Sequence, residues 1–321
     1  MSAQQGRSPE PPPTVKRDFP LARMSTVRTG GAAEYFARAG SQTGLLELLA
    51  WARSANTPVA VVGSGSNLLI ADTGVIGLVI KLDGDLARIE RDGERILCGG
   101  GARLPAVAAR AAQAGLAGIE FGVNIPGTVG GAVRMNANAY GGELSRILEW
   151  VEVAQASGID RRGPGDLGFG YRRSRLTSGE IIARASFVLV PSEVERVKAT
   201  LAQMRARRHE AQPQGIKTFG STFKNPEDPR AEERSAGLLL AEVGCNGLSI
   251  GGARFAPKHA NFIENTGTAS TTDVVNLMAE GRRRVLERYG VALEPEVQRL
   301  GDVRFPWEAG DRRKIGGEAG D

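Results

Sequence analysis

Three short stretches of this chain hold the residue types for anion binding and proton transfer. Residues 170–174 read GYRRS, 220–226 read GSTFKNP and 293–297 read LEPEV. They offer an arginine at Arg172, a hydroxyl donor at Ser221 and an acid at Glu294 or Glu296. A guanidinium can hold an anion, and a positioned hydroxyl can deliver a proton. Each stretch could equally be structural: a Gly-Tyr-Arg turn, a strand entering a proline turn, and a half-buried strand. They lie far apart in the chain, so only folding can unite them. Glu294 and Glu296 share parity on one expected strand, and the pattern does not choose between them.

Glycine points to a second kind of chemistry. Residues 121–142 (FGVNIPGTVGGAVRMNANAYGG) mix glycines with Phe121, Ile125, Val129, Val133, Met135 and Tyr140, and Arg134 carries the only charge. Glycines among apolar side chains let a backbone approach a ligand closely, with its amides available as donors. Such a stretch forms either a wall of a cofactor site or a buried multi-turn connection between strands. Residues 63–67 (GSGSN) add Ser64, Ser66 and Asn67 as donors, which suits a pyrophosphate. Gly63-Ser64-Gly65 and Gly99-Gly100-Gly101 both lack the third glycine of GxGxxG, because Leu68 and Leu104 stand there. That argues against a Rossmann dinucleotide site, and there is no Walker lysine. Gly247-Leu248-Ser249-Ile250-Gly251 matches GxSxG, but an apolar segment follows and no carboxylate lies between the motif and His259, so the match is a coincidence.

Composition narrows the partners. A chain of 321 residues accommodates two or three domains, and 41% hydrophobic with 24% charged residues is ordinary for a globular protein. No apolar run is long enough to span a bilayer, and the polar, proline-rich N-terminus has no signal-peptide core. Cys98 and Cys245 are isolated, as expected for reduced thiols in the cytosol. His209 and His259 are the only histidines, so no metal site is expected. A net charge of +5 suits an anionic partner, either nucleic acid or a phosphorylated small molecule. The arginines at 205–208 and 282–284 lack interleaved aromatics and fit solvated helix faces.

The elements that must position these residues are mixed. Residues 1–18 are expected to be a disordered leader and 308–321 a polar tail. Helices are expected at 43–54 with Thr43 as N-cap, at 104–114 ending at Gly115, and from a Ser192/Glu195 capping box to about Arg208. Two more are expected over 235–244 and 272–289, stopped by Gly244 and Gly290. Strands are expected at 58–63, 78–81, 147–154, 181–190 and 291–300, with a hairpin turning at Asp92-Gly93. This is hairpin-bearing α+β, with a domain boundary near Ser192.

The ordered set GSGSNLL, IPGTVGGAVRMNANAYG, GYRRS, GSTFKNP, KHANFIENTG and LEPEV closely resembles the UDP-N-acetylenolpyruvoylglucosamine reductase family, over roughly 19–301. The resemblance implies a two-lobed FAD-binding module of the vanillyl-alcohol-oxidase type (19–191, lobes about 19–77 and 78–191). A substrate-binding α+β domain follows at 192–307. It further implies bound FAD, NADPH as co-substrate, a UDP-sugar substrate, and a cytoplasmic monomer without nucleic-acid or membrane partners. Arg172, Ser221 and Glu296 match the family's catalytic positions, and Tyr171 and Asn225 its substrate contacts. Flavin contacts are implied at Gly63, Ser64, Gly65, Ser66, Asn67, Leu68, Ile125, Pro126, Gly127, Thr128, Gly130, Gly131, Asn136, Asn138 and Ala139. The absence of an extra loop between GYRRS and GSTFKNP resembles the shorter branch. Asn124 and Asn138 replace glycines of the family pattern and are expected to keep a positive φ. Ser249 stands at a position more often basic, so no charge contact is expected there.

Overall fold

Two eight-residue strands, Leu148–Gln155 and Ile181–Val188, pair antiparallel within a five-stranded sheet. Its order is Gly158–Arg162, Leu148–Gln155, Ile181–Val188, Arg95–Gly99, Ile89–Asp92. Ile181–Val188 has neighbours on both edges and is buried along most of its length, which fits a sequence interrupted by only Arg184 and Ser186. Arg95 pairs with Asp92 across a two-residue loop, where Gly93 takes a φ of 59° that a tight hairpin demands.

The structure, a computed structural model, describes residues 9–213 and 215–308. Its contacts define two compact units. Among the described residues, unit 1 holds 9–19, Ala33–Ser64 and Ile76–Glu210; unit 2 holds Pro20–Ala32, Gly65–Val75 and those from Ala211 on.

Unit 1 contains the five-stranded sheet and most of a four-stranded one, ordered Lys16–Pro20, Ala32–Ala39, Val75–Leu82, Val59–Val61. Helix α1 (Gln42–Ser54) buries Leu45, Leu48, Leu49 and Ala52 against Leu78 and Ile80. Helix α2 (Leu104–Gln113) starts with Pro105 in its first turn and stops before Gly115, whose φ of 66° ends the helical path. Its alanines, Ala108, Ala111 and Ala112, share a core with Phe187, Val151 and Val153 of the larger sheet. Helix α3 (Val129–Arg134) begins where the amides of Val129 and Gly130 donate to the carbonyls of Ala102 and Gly100, 2.8 Å each. The triple glycine at 99–101 is therefore structural: a Cβ on Gly100 would run into the Ile182 carbonyl. Helix α4 (Val194–Ala211) packs Val197 and Leu201 into this core.

Unit 2 contains a sheet ordered Thr218–Ser221, Phe262–Asn265, Ala253–Phe255, Ser249–Ile250. Helix α5 (Ala236–Glu242) and helix α6 (Thr271–Tyr289) share its core with the fully buried Phe219, Phe223 and Phe255. Full burial of a phenylalanine contributes about 1.5–3 kcal/mol. Ser270 and Asp273 form a capping box at the start of α6, and Asp72 accepts from the amides of Thr271 (2.8 Å) and Thr272 (2.9 Å). Leu68–Ile70 pairs in parallel with Gln298–Leu300 in the same unit.

Several expectations shift. Ser41, not Thr43, caps α1, accepting from the Gly44 amide. Order begins before Phe19: within the expected leader, Lys16–Pro20 is an edge strand, Phe19 stacks on Phe36, and the Pro9 carbonyl accepts from Trp51 Nε1. Residues 1–8 and 309–321 lie outside the described residues. Ser192 precedes α4 and donates its amide to Gly115, while the Glu193 carbonyl takes the first helical bond from Val197. The apolar stripe of α4 places that helix in unit 1, so the contacts divide after Glu210 and not at Ser192. The expected strand at 291–300 reduces to Gln298–Leu300, with one isolated bridge from Pro295 to Phe223, because proline has no N–H for a ladder.

Candidate active site

In unit 1 the two glycine-rich stretches meet. A Cβ on Gly63 would collide with Thr128 Oγ1, so the start of GSGSN lies against IPGT with room for glycine alone. Lys81 Nζ donates to the Gly63 carbonyl at 2.6 Å, and burial and then Arg38 push its pKa down. In unit 2, Gly65 has a φ of 66°, and a Cβ there would run into the Met24 carbonyl. Residues 63–68 contain no carboxylate, and Ser64 and Ser66 are half-buried. A loop of small residues, hydroxyls and amides without acids fits the diphosphate of FAD.

The 121–142 stretch is part core and part surface. Phe121, Val129, Ala132 and Val133 are buried, whereas Pro126, Gly131, Tyr140 and Gly141 are exposed. Neither Asn124 nor Asn138 is among the residues with positive φ, which corrects the expectation for both. Asn124 ends a 3-10 turn (Glu120–Asn124), donates to the Met204 carbonyl at 2.7 Å and accepts from Arg208. Asn138 lies in the strand Asn138–Ala139, paired with Glu143. The left-handed positions fall instead on Asn136 (φ 40°) and Tyr140 (φ 51°).

Asn136 is buried, and its side chain is fully engaged. Its Nδ2 donates to Glu143 Oε1 at 2.5 Å and to the Gly170 carbonyl at 3.3 Å, while its Oδ1 accepts from the Ser145 amide at 3.1 Å. The bonds from Ser145 and then Asn136 hold the Glu143 carboxyl below its ordinary pKa. The chain thereby ties its glycine-rich stretch to GYRRS. There, Gly170 and Arg173 exchange both backbone hydrogen bonds, at 3.1 and 3.2 Å. Tyr171 and Arg172 form the two-residue tip of that turn; Tyr171 is exposed and Arg172 has a φ of 54°. A non-glycine residue in this region is held there by its surroundings.

Unit 2 brings Ser221 and Glu296 onto one backbone frame. Ser221 pairs with Phe262, and the adjacent Thr222 carbonyl accepts from the Glu296 amide at 2.9 Å. Asn261 stiffens the strand by accepting from Phe223 N (2.9 Å) and donating to Phe223 O (2.8 Å). Asn225 Oδ1 accepts from the Ala236 amide at the start of α5. The two glutamates of LEPEV now separate: Glu294 is exposed and pairs with Lys224 at 3.2 Å, whereas Glu296 is 9% exposed. The Glu296 carbonyl accepts from Asn67 Nδ2 at 3.2 Å, so this side chain of the GSGSN loop is committed to the protein. Asn261 and Asn136 were missed as scaffold residues, although both lie inside recognisable motifs.

Other candidates fall away on geometry. Ser249 sits in a hairpin, not on a strand–turn–helix elbow, and donates to the Gly247 carbonyl. His259 Nδ1 accepts from the Asn261 amide, and burial lowers its pKa. Arg283 and Arg284 are paired with Glu280, and Arg282 donates to the Leu293 carbonyl.

The fold and loops define a flavin-binding class: residues 33–160 match the profile of an FAD binding domain. Residues 212–300 match the C-terminal domain of UDP-N-acetylenolpyruvoylglucosamine reductase. The enzyme of that name from Anaeromyxobacter sp. (strain Fw109-5) is 41% identical over 288 residues, covering 90% of this chain and 89% of its own. That from Paramagnetospirillum magneticum is 42% identical over 285 residues, covering 88% and 91%. The crystal structure of the Thermus caldophilus reductase aligns with a TM-score of 0.77 at 36% identity, covering 89% of this chain and 98% of its own. The chain belongs to the UDP-N-acetylenolpyruvoylglucosamine reductase family, a family of FAD-dependent oxidoreductases.

Proposed function

We propose that this protein reduces the enolpyruvyl group of UDP-N-acetylglucosamine-enolpyruvate to UDP-N-acetylmuramate, a cytoplasmic step of peptidoglycan precursor synthesis, and acts as a monomer. The observation that carries this reading is the frame shared by Ser221 and Glu296, a hydroxyl and a buried acid registered through Thr222. FAD, held by the loop residues assigned to it below, would supply hydride transfer between NADPH and the enolpyruvyl group.

The chain's residues handle the charge and the proton. Arg172 is assigned to stabilise the charge that develops on the substrate carboxylate, and Glu296 or its proton to add to that stabilisation. Ser221 Oγ delivers a proton to the adjacent carbon; a serine is a weak acid, so the basicity of the intermediate drives the transfer. Tyr171 and Asn225 are assigned to substrate.

The flavin is assigned to Gly63, Ser64, Gly65, Ser66 and Leu68, to the backbone of Asn67, and to Ile125, Pro126, Gly127, Thr128, Gly130, Gly131, Asn138 and Ala139. Asn136 is assigned beneath this set, because its amide is committed to Glu143 and Gly170. A net charge of +5 suits a UDP-sugar and NADPH, both polyanionic. No helix among the described residues is long and apolar enough to cross a membrane.

The test is spectroscopic. The purified protein should be yellow, be bleached by NADPH and recover its colour on addition of the enolpyruvyl UDP-sugar. A colourless protein that FAD cannot reconstitute would overturn the flavoenzyme assignment. Bleaching without recovery would overturn the substrate.

A further inference from the structure

We infer that Asn67 is a positioning residue for Glu296, setting the acid in register with the Ser221 strand; this rests on the function proposed above. Glu296 occupies an awkward place in the fold. Pro295 makes only an isolated bridge to Phe223, and the regular strand begins at Gln298. Glu296 thus falls in a gap where no continuous ladder holds its backbone. Side-chain amides stand in for that ladder. The Glu296 carbonyl accepts from Asn67 Nδ2 and from Gln298 Nε2, 3.2 Å each, while its N–H is taken by the Thr222 carbonyl. Asn67 also receives the Gln298 amide on its own carbonyl at 3.0 Å, and Leu68 then starts the parallel pairing with Gln298–Leu300.

The Glu296 peptide is thus fixed on both sides, and its N–H and C=O are bonded to residues distant in the chain. The side chain leaves that backbone into a site where it is 9% exposed. A misplacement of about 1 Å in a catalytic group can cost about a hundredfold in rate. Asn67 lies within GSGSN, whose donors suit a pyrophosphate, yet its side-chain donor is spent on the acid's backbone. The loop therefore sets the acid as well as lying at the expected flavin diphosphate.

The experiment compares holoenzyme with Asn67→Ala and Gln298→Ala. In N67A, FAD affinity, the oxidised-flavin spectrum and the rate of bleaching by NADPH should stay within about twofold, whereas flavin reoxidation at saturating enolpyruvyl UDP-sugar should fall about tenfold. Q298A should shift the same rate in the same direction by a smaller factor, and the double variant should lose less than the product of the two. A loss of FAD affinity in step with reoxidation would overturn the inference and return the Asn67 side chain to the cofactor. An unchanged reoxidation rate in both variants would overturn it too. Hydrogen exchange of the 293–298 segment gives an arm that needs no substrate: its amides should exchange about tenfold faster in N67A while α6 is unaffected. If exchange does not rise, the positioning role fails whatever the substrate. If wild type is bleached but not reoxidised, the proposed reaction fails while the exchange arm still decides the positioning.

Discussion

The Glu296 amide donates to the Thr222 carbonyl at 2.9 Å, one residue along from Ser221. The proposed proton donor and the proposed acid, more than seventy residues apart, are thereby set in one backbone register. Replacing Ser221 by Ala removes the hydroxyl and leaves the pairing with Phe262 intact. Bleaching of the flavin by NADPH should survive, and turnover of the enolpyruvyl substrate should fall by about 10²–10⁴-fold. Stopped-flow measurement of both half-reactions checks this. Full turnover in S221A would remove Ser221 as the donor.

The two glutamates of LEPEV give opposite expectations. Glu294 is exposed and makes a surface pair with Lys224, so Glu294→Gln should change stability by no more than about 0.5 kcal/mol and leave turnover intact. Glu296→Gln should reduce turnover by about 10²-fold or more, because an amide then replaces the buried acid assigned to the developing charge. Equal effects in the two variants would contradict the assignment of Glu296.

Asn136 combines a φ of 40° with a fully used side-chain amide. Asn136→Ala loses both features and should lower unfolding stability by about 1–3 kcal/mol. Asn136→Gly loses the hydrogen bonds but tolerates the backbone, so it should be less destabilised than Ala by about 1 kcal/mol. Urea denaturation of the pair separates the two contributions. Because Asn136 braces Gly170, both variants should also slow turnover more than flavin reduction.

The pH dependence of stability should carry a signature of α6. Arg283 and then Arg284 hold the Glu280 carboxyl down to about 2. A carboxyl whose folded pKa is depressed stabilises above its unfolded pKa of about 4.3 and loses that contribution as pH falls through that value toward the folded one. Glu280→Gln should therefore be less stable than wild type by about 0.5–1 kcal/mol near pH 7, with the difference fading below about pH 4. Thermal midpoints from pH 7 to 3 measure it. A difference that grows toward acid would reverse the sign and exclude the pairing as its cause.

Local signals were the legible part. The stops at Gly115, Gly244 and Gly290 follow from single left-handed residues, and each glycine has the expected positive φ. The hairpin at Asp92-Gly93 is equally local. Asn124 and Asn138 were not legible, because tolerance of Gly or Asn reports either positive φ or lack of space, and a sequence does not separate the two. The Asn124 amide finds its partner at Met204, 80 residues on.

By itself the sequence determined the family, through six ordered motifs, and the chemistry those residue types can perform. It also determined where helices stop, because capping and glycine conformations depend on neighbours in the chain. Tertiary structure alone decided that Glu296 is the buried acid while Glu294 faces solvent, since the proline between them breaks the strand on which they would share a face. It also decided that Asn67 spends its side-chain donor on Glu296, 229 residues away. A hydrogen bond between remote segments leaves no periodic trace in the sequence, and its geometry exists only once both strands are packed.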